Sequence, residues 1–260
     1  MSLSRYLKYS FFVVFFLWTF GVNAQLVELS FDNGFCSGFI AKLTNKSQKA
    51  YLFTAGHCIP GLGDKTNSNK IITNIKMEKL QKFIARAVSS GKHGFVNATE
   101  LVLATFQRVD LAIYSLKESV TELENAGLPP FLIHTGEAHI GTPIKVFNPL
   151  IGEDASCFID AHPFRLAFQE WLWFATVRLS SQCKLGPGWS GAPVVDVSSG
   201  MILGILSGGN DSGDCADYCE IDKAGDRIAF KNRSYYSTLS FLNRCLNQNG
   251  QIAVEPTCLP

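Results

Sequence analysis

The sequence lacks any strong charge bias. Its 260 residues include 23 lysines and arginines against 22 aspartates and glutamates, which gives a formal net charge of +1. No run of like charges and no basic stripe occurs along the chain. Nucleic acids and acidic membrane surfaces attract proteins through clustered positive charge, so neither is expected as a partner.

The chain also lacks an apolar run long enough to cross a membrane. The strongest candidate, FFVVFFLWTF at residues 11–20, falls well short of the roughly 20 residues that a transmembrane helix needs. Arg5 and Lys8 precede it, and a small-residue cleavage motif, VNA, follows it. Residues 1–24 are therefore predicted to be a cleaved signal peptide. The mature protein would begin at Gln25, be secreted to the extracellular space or the periplasm, and have no membrane contact after cleavage.

The cysteines all follow the predicted signal peptide. They are Cys36, Cys58, Cys157, Cys183, Cys215, Cys219, Cys245 and Cys258. An even number of cysteines in an exported chain indicates disulfides. Zinc binding is only weakly indicated, because Cys215 and Cys219 are spaced like two ligands but have no histidine or second close pair nearby. No metal site is therefore expected.

Internal repeats and low-complexity tracts are also missing. Short runs rich in Val, Ile, Phe, Trp and Thr alternate with turn residues, which predicts an all-β barrel or sandwich. The predicted strands are residues 50–54, 101–106, 110–116, 143–147, 171–177, 193–197 and 201–206. Helical spacing of apolar residues predicts helices at residues 73–88 and 235–247, and a linker is expected near residues 122–130.

Three short motifs carry the residue types of nucleophilic catalysis. TAGHC contains His57, VDLAIYSL contains Asp110, and GPGWSGAP contains Ser190. A neutral imidazole can take the proton of a serine hydroxyl and return it to the leaving group, while a carboxylate orients the imidazole. The N–H groups of Gly188 and Ser190 are candidates for an oxyanion hole. Each motif alone also fits a plain structural element, but together, in this order, they predict a catalytic triad.

With these motifs the chain resembles the trypsin/chymotrypsin-like serine peptidases over about residues 30–245. The matching segments are CSG, TAGHC, DLA, GWSGAP and GILSGG, which begin at residues 36, 54, 110, 188 and 204. The resemblance implies two antiparallel six-stranded β-barrels with the active site between them, and a C-terminal α-helix. It divides the mature chain into a first barrel at residues 25–128, a second barrel at residues 129–234, and a helix and tail at residues 235–260.

The resemblance also implies roles for other residues and partners. Ser207, Gly208 and Gly209 match the segment that pairs with the substrate backbone, although a glycine-rich turn is the alternative. A bridge between Cys36 and Cys58 would tie the histidine loop to its neighbouring strand. Protein or peptide substrates, a monomer and no cofactor are expected. The pairing of the other six cysteines stays open. Two possibilities are a bond from Cys183 to Cys215 or Cys219, and a bond from Cys245 to Cys258.

The serine motif departs from the family pattern at Trp189. Most relatives have an aspartate there, and it pairs with a new N-terminus that proteolysis releases; the usual Ile-Val-Gly-Gly start is missing here too. Because both halves of that switch are absent, the oxyanion hole is expected to form on folding, with Trp189 filling the space of the ion pair. The alternative is a collapsed loop in a catalytically inactive binding protein.

The residue that selects the substrate side chain is less clearly indicated. Lys184 lies six residues before Ser190, where the family keeps its selecting residue, and a cation there would favour acidic side chains. Asp214, Asp217 and Asp226 are the other charged candidates. Specificity therefore stays open.

Overall fold

The computed structural model describes residues 25–31, 34–62, 70–87, 90–183, 185–253 and 255–260. The predicted signal peptide and Lys184 lie outside the described residues. The fold is all-β, with two closed six-stranded antiparallel barrels, as predicted.

The first barrel is formed by six strands from the N-terminal half of the chain. They are β1 (Gln25–Phe31), β2 (Gly34–Lys42), β3 (Lys49–Thr54), β4 (Ile71–Ala87), β5 (His93–Thr105) and β6 (Leu111–Ser119). Their order is β1-β4-β5-β6-β3-β2, and the pairing of β1 with β2 closes the barrel. A short strand, β7 (Phe131–Leu132), pairs in parallel with β2. Tyr51, Leu52 and Phe53 of β3 are buried, so β3 has apolar side chains on both of its faces.

The second barrel is built from non-consecutive strands of the C-terminal half. They are β8 (Pro143–Asn148), β9 (Glu153–Ala161), β12 (Thr176–Leu179), β13 (Pro193–Asp196), β14 (Ile202–Asn210) and β17 (Arg233–Thr238). The order is β12-β17-β14-β13-β8-β9, and β9 pairs with β12 to close it. All seven strands predicted from the sequence are present, although residues 171–177 are divided between two of them.

A separate four-stranded sheet lies outside the barrels. It consists of β10 (Arg165–Phe168), β11 (Trp171–Trp173), β15 (Tyr218–Ile221) and β16 (Arg227–Ile228), in the order β11-β10-β15-β16. Its aromatic residues form a stacked group, in which Phe168 lies 4.6 Å from Tyr218 between ring centroids. None of the described helices is both long and apolar enough to span a membrane.

The helix predicted at residues 73–88 is wrong, because residues 73–87 belong to strand β4 and the last residue lies outside the described ones. The register of β4 against β5 shifts between Lys76 and Gln81, so a bulge interrupts the two-residue alternation of the strand. Ile75, Leu80 and Ile84 are exposed, whereas Phe83 is buried. The bulge thus produced a spacing of apolar residues that imitates a helical period.

The C-terminal α-helix predicted at residues 235–247 is also wrong. Residues 235–238 belong to β17, which pairs with β12 and β14, and a 3₁₀ helix, Ser240–Cys245, follows. A 3₁₀ helix has three residues per turn, so the spacing of Leu239 and Leu242 suits it. The expected linker is partly helical as well, since α1 (Val120–Asn125) begins with a capping box between Ser119 and Glu122.

Four disulfides join all eight cysteines. Cys36 is bonded to Cys58, and Cys245 to Cys258, which are two of the pairings considered from the sequence. Pairing of Cys183 with Cys215 or Cys219 is wrong, because Cys183 is bonded to Cys157 and Cys215 to Cys219. The short spacing of the last pair therefore serves a disulfide and not zinc.

Candidate active site

His57 lies in a 3₁₀ turn, Gly56–Cys58, that directly follows β3. Gly56 is required there, because a Cβ atom would collide with the carbonyl oxygen of Thr105 on β5. The Cys36–Cys58 disulfide ties the same turn to β2. The histidine backbone is therefore fixed from two sides by the first barrel.

Asp110 holds His57 with both of its carboxylate oxygens. Oδ1 accepts the backbone N–H of His57 at 2.9 Å, and Oδ2 lies 2.8 Å from Nδ1 of the ring. The carboxylate is fully buried, whereas the His57 side chain is 29% exposed. This arrangement fixes the ring orientation and leaves Nε2 as the nitrogen free to exchange a proton with another group.

The environment of His57 raises its pKa above the ordinary value of 6.5. Burial by itself disfavours the imidazolium and lowers the pKa, but the charge of Asp110 and its hydrogen bond to the ring together outweigh burial. The Asp110 carboxylate therefore stabilises the protonated ring, which is the form that a histidine adopts after it accepts a proton.

Ser190 lies in the loop that leads into β13. The serine is half-buried, and its carbonyl oxygen accepts the backbone N–H of Ser37 on β2 at 2.7 Å. His57 and Ser190 line the same cleft, which has a volume of about 900 Å³. The cleft thus brings residues of all three sequence motifs together, because Asp110 lies directly behind His57.

Trp189 is buried, with 6% of its surface exposed. It belongs to the apolar cluster inside the second barrel, together with Ile144 and Val146 of β8 and Val194 of β13. Its side chain therefore lies within the barrel and does not project into solvent.

The two N–H groups proposed for the oxyanion hole have no hydrogen-bond acceptor among the described residues. Gly188 has a φ of +85°, a conformation that favours glycine, and Gly191 has a φ of +83°. A Cβ atom at Gly191 would collide with the carbonyl oxygen of Ser37. The loop therefore needs glycine on both sides of Trp189 and Ser190, which explains the Gly-Trp-Ser-Gly pattern.

Ser207, Gly208 and Gly209 form the part of β14 that borders the cleft. Gly208 and Gly209 pair with Tyr235 and Ser234 of β17 along one edge. Within the described residues, the pairing of β14 with β13 ends at Ile205, so the other edge of this segment is open. An open strand edge can bind an extended peptide by main-chain hydrogen bonds.

Tyr218 occupies the space beside Gly208. A Cβ atom on Gly208 would collide with the Tyr218 hydroxyl, so glycine is needed for the phenol ring to approach. Burial, together with the charges of Asp110 and Asp217, raises the pKa of Tyr218, which therefore stays neutral. No sequence pattern indicates this contact, because Gly208 and Tyr218 belong to different sheets.

An aromatic wall, formed by Phe106, Phe168 and Trp171, borders the cleft next to the histidine. Phe106 lies edge-on to His57 at 5.7 Å between ring centroids, and Trp171 lies 4.7 Å from Phe106. Sequence reasoning missed these residues. In the sequence they look like ordinary strand and loop aromatics, and only the fold brings them together along the cleft.

Of the three charged candidates for specificity that the structure describes, one lies in the cleft. Asp217 borders it, whereas Asp214 and Asp226 do not. Asp211, which was not among the candidates, also borders the cleft. Lys184 lies outside the described residues.

A possible metal-binding group among the described residues consists of Cys36, His57 and Cys58. The two sulfur atoms are bonded to each other, and His57 Nδ1 faces Asp110. These side chains therefore do not suit a metal ion.

Comparisons with known proteins agree with the fold. A family model described as the trypsin-like peptidase domain matches residues 36–205, which is more than half of the chain. The protease domain of MamO from Magnetospirillum magneticum is similar in structure, with 14% identity, a TM-score of 0.53, and coverage of 89% of this chain and 100% of that one.

Thermobifida fusca protease A is also similar, with 15% identity, a TM-score of 0.45, and coverage of 84% of this chain and 90% of that one. A comparison with curated proteins found no significant match. At these identities the structural similarity describes the fold and not the activity.

Proposed function

Because the chain belongs to the trypsin-like peptidase family, we propose that it is a secreted serine endopeptidase with His57, Asp110 and Ser190 as its triad. The observation that carries the proposal is the pair of hydrogen bonds that the Asp110 carboxylate accepts from His57, with Ser190 on the same cleft. A histidine with a purely structural role needs neither a buried carboxylate on Nδ1 nor a serine lining the same cleft.

The proposed reaction has two halves. His57 Nε2 takes the hydroxyl proton of Ser190 while Oγ bonds to the scissile carbonyl carbon, and the N–H groups of Gly188 and Ser190 stabilise the oxyanion. The C–N bond then breaks, and His57 gives the proton to the leaving amine. Water attacks the resulting ester by the same route and releases the second product, with no metal or organic cofactor involved.

Substrate binding is proposed along the open edge of β14. An extended peptide would pair with the backbone of Ser207, Gly208 and Gly209, which places its scissile bond near Ser190. The protein or peptide substrate is held by a monomer, with the first barrel supplying His57 and Asp110 and the second supplying Ser190.

The enzyme is proposed to act without activation by N-terminal proteolysis. A chain cut after residue 24 would begin in β1, where Gln25 pairs with Ala87 of the first barrel. Trp189 is buried in the apolar cluster of the second barrel. The apolar side chain of Trp189 cannot form an ion pair with a newly released N-terminal ammonium group. We therefore propose that packing shapes the loop. The four disulfides support an oxidising destination, and removal of residues 1–24 as a signal peptide remains part of the proposal.

The test is covalent labelling of the mature protein by a fluorophosphonate, which reacts with activated serines. We expect the wild type to be labelled and to hydrolyse peptides, and Ser190→Ala to do neither while keeping the same thermal unfolding midpoint. A folded wild type that is neither labelled nor active would contradict the proposal and would favour an inactive binding protein of the same fold.

A further inference from the structure

Ser37 lies on β2 of the first barrel and faces the loop that carries Ser190. Its side chain is fully buried. Ser37 lies in the CSG segment that matches the family, but the sequence analysis assigns it no role. Its hydroxyl donates a hydrogen bond to the carbonyl oxygen of Gly188 at 2.9 Å, across 151 residues of sequence. Its backbone N–H donates to the carbonyl oxygen of Ser190 at 2.7 Å. One residue thus contacts the loop at two points.

Ser37 is itself held in place by neighbours. The hydroxyl of Thr54, at the end of β3, donates to the Ser37 carbonyl oxygen at 2.8 Å. The same carbonyl lies against Gly191, where any side chain would collide with it. Since β2 and β3 are paired strands of a closed barrel, Ser37 is a rigid point from which the loop can be held.

The loop has weaker restraints of its own on the side before the serine. The N–H of Trp189 reaches the carbonyl of Gly186 at 3.4 Å, which is long for a hydrogen bond of this kind. Glycine at position 188 has no side chain to restrict rotation of the peptide planes on either side of it. The bond from Ser37 fixes the peptide plane that follows Gly188, so the direction of the Gly188 N–H then depends only on the φ and ψ torsions of Gly188 itself.

We propose that Ser37 is a positioning residue for the oxyanion hole, acting through its hydroxyl on the Gly188 carbonyl. This inference rests on the proposed peptidase function. In this chain the hydroxyl supplies, from the first barrel, a restraint on the loop in place of the missing N-terminal ion pair. Ser37 does not touch the substrate; it holds the backbone whose N–H does.

The kinetic test replaces Ser37 by alanine, which removes the hydroxyl and keeps the backbone bond to Ser190. Because oxyanion contacts strengthen in the transition state, kcat should fall about tenfold with KM nearly unchanged, less than the 10²–10³-fold typical of losing a donor itself. The matched control is Thr99→Val, which removes a hydroxyl bonded to the Ser115 carbonyl in the same barrel, away from the cleft. That control should keep the wild-type kcat.

An NMR measurement tests the positioning without depending on activity. Labelling proline with ¹³C at the carbonyl and glycine with ¹⁵N selects the two Pro-Gly pairs of the sequence, which end at Gly61 and Gly188. A Pro60→Ala variant assigns the two signals. In Ser37→Ala we expect the Gly188 amide to shift and broaden and the Gly61 amide to stay unchanged.

An unchanged Gly188 signal in Ser37→Ala overturns the proposal, whatever happens to kcat. A wild type that hydrolyses no peptide refutes the peptidase function instead, and the NMR comparison still decides whether Ser37 orders the loop. An equal loss of kcat in Thr99→Val would also overturn the proposal, since it would show a general effect of weakening the barrel.

Discussion

The cleft has a histidine side, which carries His57, and a serine side, which carries Ser190. Different kinds of interaction hold each side in place. On the histidine side, a buried carboxylate forms two hydrogen bonds to His57, and a disulfide fixes the adjacent residue. On the serine side, Trp189 packs into an apolar cluster, and the backbone of the loop is bonded to Ser37. A buried carboxylate and a disulfide thus hold His57, whereas apolar burial of Trp189, one main-chain bond and the Ser37 hydroxyl hold the loop that carries Ser190.

Replacing Asp110 by asparagine should damage the histidine side most. The amide cannot stabilise an imidazolium and favours the wrong tautomer of His57, so kcat should fall by about 10⁴-fold. Steady-state hydrolysis of a peptide substrate measures this loss, with far-UV circular dichroism to check the fold. A loss of less than about tenfold would mean that His57 does not depend on Asp110.

Replacing Trp189 by alanine should damage the serine side through stability. Truncating a buried tryptophan leaves a cavity, and we expect the free energy of unfolding to fall by about 3–5 kcal/mol in urea titrations. Trp189→Phe keeps most of the apolar volume and is the control, with a smaller loss. Equal stability of Trp189→Ala and the wild type would show that packing of this residue does not hold the loop.

Removing the histidine-side disulfide and, as a control, the Cys215–Cys219 disulfide at the separate sheet sharpens the comparison further. In the chain-entropy description, Cys36–Cys58 closes a loop of 22 residues and contributes about 3 kcal/mol, while Cys215–Cys219 spans 4 residues and contributes about 2 kcal/mol. The double serine variant of the first pair should also lower kcat, because it frees the turn that carries His57. Denaturant unfolding and kinetics of both variants test this, and an equal loss of activity in the two would contradict it.

The pH dependence should show the smallest of these effects. His57 must be neutral to accept a proton, and its pKa is raised by Asp110, so kcat/KM should decline on the acid side below a pKa higher than 6.5. A raised pKa in the folded state also means that stability from the protonated ring is present below pH 6.5 and is lost as pH rises through the folded pKa.

In Asp110→Asn, the acid-side decline of the residual kcat/KM should move to lower pH. A decline that stays at the same pH in this variant would show that Asp110 does not raise the pKa of His57.

The histidine side could be predicted from the sequence because its chemistry lies in side chains within two short motifs. TAGHC and the aspartate before β6 pointed to His57 and Asp110, the strand pattern predicted an all-β barrel or sandwich, and the family resemblance predicted two barrels. The disulfide between Cys36 and Cys58 followed from the resemblance. Each of these features could be inferred from residue types within short segments, without knowing which distant segments are in contact.

The interactions on the serine side were harder to predict from the sequence, because they join segments that lie far apart in the chain. The contacts of Ser37, Tyr218 and Phe106 are made with distant segments; CSG marked Ser37 only as part of a matching segment, and nothing in the local sequence indicated the contacts of Tyr218 or Phe106. The two wrong helices have related causes. A bulge in β4 interrupted the two-residue alternation that would have indicated a strand. Residues 235–238 pair within the second barrel, although the leucine spacing of the segment favours a helix.

The central claim, that the serine loop is shaped by folding and not by a released N-terminus, can be tested by one kinetic comparison. The mature protein is prepared with its chain starting at Gln25 and, separately, with a short blocked extension before Gln25, and kcat/KM is measured on the same peptide. We expect equal values, because Trp189 offers no partner for an ammonium group. Activity that appears only with a free N-terminus at Gln25 would contradict the claim.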